Sequence, residues 1–372
     1  MYKKILVINL MHIGDLLLVT PILRTLRTNF PASYIALLAD KKLADLVQYN
    51  QNIDECLLID KKGADDTVQN FVKFIKKLRT KRFDLVINLH RNERASALAA
   101  FSGAKKIVGY AKPGFSVMFT KVCPNLKAVE HQIQSHFDVL SKALGITNFD
   151  DGGLEMWIDS NSKSNADKIF RQNFEIDTKV VAFNIGASWL TKRWLDRYFA
   201  RCADILIERG YGVAFLGGNM DKKIVAECVD KMEQQESPLL KIFTGTLTLA
   251  EVAGFLDNCV LMLTTDSGPM HIGVARNIPI VTMFGASPVP GFYPYDGKDI
   301  LIKTPVSCHP CGKHICPKSG RKNLECMKKI PVEIVMRYVA EILSKYGQPA
   351  QEIPRIYGNY QCKVIELEED ET

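Results

Sequence analysis

Short apolar runs that end in small or polar residues and pass straight into a helical pattern recur along this chain. The clearest lies at 259–275. Cys259-Val260-Leu261-Met262-Leu263 reads as a buried parallel strand. Thr264-Thr265-Asp266-Ser267-Gly268-Pro269-Met270-His271 then turns into a helix that Ile272-Gly273-Val274-Ala275 continues. A helix opening at a strand's C-terminal end presents free backbone N–H groups and the positive end of its dipole, which suits a diphosphate. His271, one turn in, can donate a further hydrogen bond. The octamer alone leaves a second reading open: a capped helix with Ser267 as N-cap and His271 on the surface.

The same unit repeats in two blocks. The first has strands at 5–9, 34–39, 55–59 and 85–89, with helices at 15–29, 41–49, 67–79 and 94–101. Pro21 falls inside the 15–29 pattern, so that helix is kinked or begins late. Residues 148–166 are polar and rich in turn formers, which places a linker there. The second block has strands at 179–185, 213–216, 242–244, 260–264 and 280–284, and helices at 194–209, 220–233, 248–256 and 270–276. The expected class is α/β, two doubly wound parallel sheets. The expected domains are 1–160 and 161–345, followed by an extension at 346–372 with a disordered acidic end. Loops at the strand C-termini are expected to face a cleft between the domains.

A chain of 372 residues, 47% hydrophobic, is long enough for two cores. It has no apolar run long enough to span a bilayer. Its start, Met1-Tyr2-Lys3-Lys4-Ile5-Leu6-Val7-Ile8, reads as a strand rather than a leader. A cytoplasmic location is expected, with the ten cysteines reduced. Charge is concentrated: residues 71–121 hold twelve Lys or Arg and two acids, Asp84 and Glu93, a net of +10 against +7 for the whole chain. Such a field attracts nucleic acid, an anionic lipid surface or a phosphorylated glycolipid. Lys73, Lys76, Lys77 and Lys81 also fit a solvated helix face. Arg91, Arg94, Lys105 and Lys106 fit it less well, because they are read as lying just past strand ends. Aromatics are not interleaved with these bases, which argues against nucleic acid.

Candidate chemistry gathers at strand ends. In Asn9-Leu10-Met11-His12-Ile13-Gly14-Asp15-Leu16, Gly14 permits a tight turn and puts Asp15 in the first turn of a helix. There Asp15 serves either as a general base or as an acid facing the helix dipole. His12 lines the same loop. In the second block, Gly186, Ala187 and Ser188 allow close approach to a phosphate, with Lys192 as its charge partner. Trp194 reads as a packing anchor. Leu216-Gly217-Gly218-Asn219 and Thr244-Gly245-Thr246-Leu247-Thr248 repeat the strand-end pattern, and Thr248 with Glu251 has capping-box spacing. No loop is GxGxxG or a Walker sequence, which disfavours dinucleotides and NTPases. Cys308, Cys311, Cys316 and Cys326, spaced C-x2-C-x4-C-x9-C, are candidate ligands for a structural zinc or iron, or else unliganded thiols.

Four stretches taken together, 14–21, 192–194, 265–271 and 284–288, resemble the ADP-heptose:lipopolysaccharide heptosyltransferases, glycosyltransferase family 9. The resemblance runs in order over about 1–345, and the opening segment is most similar to the branch that adds heptose III. It implies a GT-B fold, an acceptor half followed by a nucleotide-sugar half, and inverting transfer of heptose from ADP-heptose to the lipopolysaccharide inner core, with no catalytic cofactor. It gives Asp15 the role of general base. Ser188, Lys192, Leu247, Asp266, Ser267, Gly268 and His271 become donor contacts, with Leu247 beside the adenosine. His12, Arg91, Arg94 and Lys105 would meet the acidic acceptor and the anionic inner leaflet, making the enzyme peripheral at the inner membrane. Ala187 departs from the threonine of some members. The competing readings are a nucleic-acid-binding protein using the basic window and a GT-B nucleotide-sugar epimerase.

Overall fold

The computed structural model describes residues 2–126 and 128–368. The chain divides into two units, Met1–Trp157 and Ile158–Thr372. The first contains β1 (Lys4–Ile8), α1 (Ile13–Leu17), α2 (Thr20–Asn29), β2 (Tyr34–Asp40), β3 (Glu55–Ile59), α3 (Val68–Thr80), β4 (Leu85–Asn88), α4 (Glu93–Ala100), β5 (Lys106–Gly109), β6 (Lys121–Val122) and α5 (Gln132–Leu144). Its strands pair in parallel in the order β3-β2-β1-β4-β5-β6. Strand order therefore reverses beside β1, and the crevice outside β1 and β4 is where such a sheet binds ligands. The pattern read as one helix over 15–29 is two. α1 stops at Leu17 and α2 restarts at Thr20 with Pro21 in its first turn, where a missing N–H costs nothing. The 41–49 helix is instead a 3₁₀ segment, Lys41–Leu46, broken at Leu43.

The second unit contains α6 (Ser160–Asn173), β7 (Val180–Asn184), α7 (Asp196–Glu208), β8 (Gly212–Phe215), α8 (Lys222–Val229), β9 (Leu240–Ile242), α9 (Leu249–Leu256), β10 (Leu261–Thr265), α10 (Gly268–Ala275), β11 (Ile280–Met283), α11 (Val289–Phe292), β12 (Ile300–Lys303), α12 (Glu325–Lys328), α13 (Val332–Tyr346) and β13 (Lys363–Glu366). Its parallel order is β13-β12-β11-β10-β7-β8-β9, which puts the reversal between β7 and β10. The two sheets thus share one winding. The polar stretch at 148–166 is not all linker: Asp159 caps α6, accepting hydrogen bonds from the N–H groups of Asn161 and Ser162. Residues 346–368 are not an appendage either. β13 pairs with β12 and forms the sheet's edge, and Leu367 is buried in the core of this unit. The end of the acidic tail, 369–372, lies outside the described residues.

Each sheet is closed by its own apolar core. Leu6, Ile8, Leu38, Leu57 and Val86 of the first meet Leu78 of α3, and Leu98 and Ala99 of α4. In the second, Val181, Phe183, Phe215 and Leu263 pack under α7 and α13 around Trp194, which is buried and donates its indole N–H to the Ile330 carbonyl at 3.1 Å. Trp194 is a packing anchor, as expected.

Candidate active site

The C-terminal edge of the first sheet is built on Asn9 and Asn88. The Asn9 carboxamide accepts from Met11 N–H at 2.9 Å and donates to the Asp15 carbonyl at 3.3 Å, which shapes the turn into α1. Asp15 is half-buried in the first turn of α1, and His12 precedes it, exposed, as N-cap. Asn88 Nδ2 donates to the carbonyls of His90 and Tyr110 at 3.1 and 2.6 Å, holding the loop after β4. Lys61 Nζ bridges Asp40 Oδ2 at 3.0 Å and the Leu10 carbonyl at 2.5 Å. The unread member of this edge is His90. It is buried with Nδ1 lacking a hydrogen bond, and its pKa is lowered to about 4 by burial and then by the nearby charges of Lys61 and His12. The signal for it was its place just past β4, beside the strand reversal.

One of the expected acceptor contacts, Lys105, needs correction. Arg91 is exposed just past β4. Arg94, in the first turn of α4, donates to the Lys61 carbonyl at 2.5 Å, pairs with Asp66 at 2.7 Å and covers the Phe71 ring. Lys105 and Lys106 do not follow a strand. They lead into β5, at the N-terminal edge of the sheet with Lys4 and Asp84, the opposite edge from Asp15.

In the second unit four strand-end loops are joined at the reversal. Asn184 ends β7, and its Nδ2 donates to Ser267 Oγ at 2.9 Å, to the Gly186 carbonyl at 3.2 Å and to Thr264 Oγ1 at 3.4 Å. Ser267 does not cap α10 with its own side chain, so the helix N-terminus stays open as a donor surface. Asp221 accepts from Gly218 N–H at 2.9 Å and fills the space where a Cβ on Gly186 would sit 2.0 Å away. Gly245 N–H reaches the Gly217 carbonyl at 2.8 Å, tying the loops after β8 and β9 together. Thr248 and Glu251 form the expected capping box on α9.

Charge in this cluster centres on Lys192. Its Nζ lies 3.0 Å from Asp266 Oδ2 and 4.7 Å from the Trp189 ring centroid. Trp189 stacks on His314 at 4.0 Å, and the Thr265 hydroxyl donates to the Lys192 carbonyl. Asp266 Oδ2 receives no hydrogen bond even so: the ammonium approaches outside hydrogen-bonding directions, and the contact is an ion pair. Asn184 Oδ1 and His271 Nδ1 are likewise buried without a hydrogen bond. Burial, and then the charge of Lys192, lowers the His271 pKa to about 3, so this imidazole is neutral at physiological pH. Of these atoms His271 Nδ1, buried beside an open helix end, can donate to an anionic ligand, whereas the Asn184 and Asp266 oxygens only accept. Of the other expected donor contacts, Gly268 opens α10, Ser188 is exposed on the loop after β7, and Leu247 is half-buried after β9.

Of the two readings of the cysteine cluster, the described structure has the thiols free. Among the described residues no group of three or more His, Cys, Asp or Glu side chains is disposed to hold a metal ion. Cys308, Cys311 and Cys316 are close enough to help raise the Cys326 thiol to about 11, after burial, the largest cause. Cys316 Sγ accepts from the Leu324 N–H at 3.3 Å, and Lys318 donates to Cys308. The loop packs instead on the strand ends. Gly312 N–H donates to the Ala286 carbonyl at 2.9 Å, and Thr191 Oγ1 donates to the Lys313 carbonyl.

Two sheets of Rossmann order, with an anion-ready loop cluster in the second, make the two-unit α/β fold of the GT-B kind. Comparison with known proteins agrees. The family model of glycosyltransferase family 9 (heptosyltransferase) matches residues 71–321, and the chain belongs to that family. It is 28% identical to lipopolysaccharide heptosyltransferase 3 of Escherichia coli K12 over 74% of this chain and 80% of that protein. The crystal structure of a family 9 glycosyl transferase from Veillonella parvula superposes with a TM-score of 0.85 at 32% identity, covering 92% and 98% of the two chains. E. coli ADP-heptose lps heptosyltransferase II superposes at 0.74, with 19% identity over 92% and 99%, a likeness of fold.

Proposed function

We propose that this glycosyltransferase moves heptose from ADP-heptose to the inner core of lipopolysaccharide, with inversion, using Asp15 as general base. The first unit takes the acceptor and the second the nucleotide sugar. The observation that carries the reading is the loop cluster after β7 and β10, where Lys192 and the buried His271 Nδ1, which has no hydrogen bond, lie beside the open end of α10. In a single displacement the Asp15 carboxylate takes the acceptor hydroxyl proton, the oxygen forms its bond to the anomeric carbon, and ADP leaves with the electrons of the broken C–O bond. Lys192, the N–H groups of α10 and a neutral His271 meet the charge that grows on the diphosphate, which such preorganised donors can do without a metal. Ser188 and Leu247 border the diphosphate and the adenosine. His12, His90 and Arg91 belong to the loops at the same edge of the sheet as the base. The names of the relatives, lipopolysaccharide heptosyltransferase 3 and ADP-heptose lps heptosyltransferase II, support both substrates. An acceptor of this kind is anchored in a membrane, so the enzyme works at the inner-leaflet surface of the cytoplasm. No helix among the described residues is long and apolar enough to cross it.

The test is Asp15→Asn. Transfer to a truncated core acceptor is expected to fall by about 10²–10⁴, the usual contribution of a positioned base, while ADP binding measured by calorimetry stays unchanged. Full transfer activity in the variant would remove Asp15 from the mechanism. A donor screen across ADP-, GDP- and UDP-sugars checks the sugar nucleotide.

A further inference from the structure

One face of the first unit carries exposed apolar side chains that its core does not use. On α3, Phe71, Phe74 and Ile75 turn toward the sheet, and Leu78 is buried against it. Val68, Val72, Lys76 and Arg79 recur at helical spacing on the outward side, with Lys73 also exposed, and Val68 is 79% exposed. This stripe runs roughly 16 Å along the helix. At its C-terminal end Arg79 lies against the turn after α4, its Nε 3.5 Å from where a Cβ on Gly103 would be. Phe101 in that turn meets Phe115 edge-on at 6.1 Å. Phe115 belongs to the 3₁₀ segment Pro113–Met118, where Val117 is 88% exposed and Met118 44%. Valines, a methionine and a phenylalanine are thus displayed beside bases on adjoining elements of the first unit.

We propose that this face of α3, the turn after α4 and the 113–118 segment is a docking surface for an anionic phospholipid membrane. Val117 and Met118 enter the acyl boundary, and Lys73, Lys76 and Arg79 meet the headgroups. The inference deepens the acceptor half of the proposed function, since a lipid-anchored acceptor has to be met at its membrane. Charge selects the partner. Among the described residues Lys73, Lys76 and Arg79 form no ion pair, whereas Lys81, Arg94 and Lys112 are matched by Glu55, Asp66 and Glu93. Stable attachment needs two signals, apolar insertion and basic attraction, and this face has both. Nucleic acid would use the bases but gives Val117 and Met118 nothing to do. The face also leads to the site. α3 begins at the edge of the sheet that holds Asp15 and ends at the opposite edge, so a bilayer along α3 lies beside the acceptor end.

The experiment is sedimentation of the full chain with phosphatidylcholine vesicles, with and without phosphatidylglycerol, alongside ADP titration. The native chain is expected to pellet with the anionic vesicles and not with the neutral ones. V117S/M118S should weaken that binding roughly tenfold or more, and K73Q/K76Q by about fivefold per charge. ADP affinity and transfer to a soluble truncated acceptor should be unchanged in both. The proposal is overturned if the native chain ignores anionic vesicles, if V117S/M118S pellets like the parent, or if an oligonucleotide binds this face more tightly than the vesicles do. Failure of the native chain to bind ADP, with vesicle binding intact, would instead overturn the proposed function and leave the docking surface standing.

Discussion

Lys192 has two neighbours that make different demands on it. Asp266, almost wholly buried, holds it by charge, Trp189 offers the face of its ring, and His314 supports that ring from a loop more than a hundred residues away. An ammonium held over an indole is worth about 0.5–2 kcal/mol. Trp189→Ala is therefore expected to weaken ADP binding by about 2- to 30-fold, and Trp189→Phe, which keeps a ring face, to lose little of it. Lys192→Ala should lose more than either, because the diphosphate then faces Asp266 with no cation between them. Titration calorimetry with ADP orders the three variants. An equal loss for Trp189→Phe and Trp189→Ala would mean that the ring's face does not position the lysine. None of this was legible at Trp189, whose partner His314 is far away in sequence. Lys192 and Asp266 were legible, because each sits in a strand-end loop of recognisable kind.

The loops of the second unit work as one element because side chains replace the missing covalent ties. Asp221 stands between the loops after β7 and β8, and Gly186 is small because that carboxylate occupies the space. Gly186→Ala must push Asp221 aside and release the Gly218 N–H, a change expected to cost about 1–3 kcal/mol. Asp221→Ala vacates the space, so Gly186→Ala should be nearly neutral in that background. Urea unfolding of the two single variants and the double variant measures the coupling, and simple additivity would show that the two positions do not meet. The pattern of small residues was readable along the chain; the reason for Gly186 was not, because it depends on a residue 35 positions on. Elements followed the same rule. The 55–59 strand, the Thr248–Glu251 capping box and the break near Pro21 are set by local spacing and were read from it. β13 has the sequence KVIE at the head of an acidic run and becomes a strand only because β12 offers it an edge. The four-residue β5 also went unread, and with it the direction of the chain at Lys105, so that lysine was assigned to the wrong edge of the sheet.

At the scale of the molecule the two units respond differently to acid. Burial holds His90, His136 and His271 neutral, with pKa values lowered to about 4, about 3 and about 3. In the unfolded chain each titrates near 6.5, so below that pH the unfolded state binds protons that the folded state refuses. The stability these groups contribute is complete above about 6.5 and is lost as pH falls toward 3–4, by about 1.4 kcal/mol per pH unit for each histidine. His90 and His136 belong to the first unit and His271 to the second, where burial also lowers His309. Between pH 7 and pH 5 His90 and His136 together should cost the first unit of order 4 kcal/mol, against about 2 from His271 in the second, a large share of an ordinary folding margin. Calorimetry across that range is expected to show the first unit melting earlier as pH falls. His136→Gln, which removes one buried imidazole but keeps a polar group near the Tyr110 hydroxyl, should shrink the gap by about 1.4 kcal/mol per pH unit. ADP should protect the second unit alone, because a ligand stabilises the part that binds it. Parallel shifts of both transitions with pH, or a first unit indifferent to His136→Gln, would exclude buried histidines as the cause.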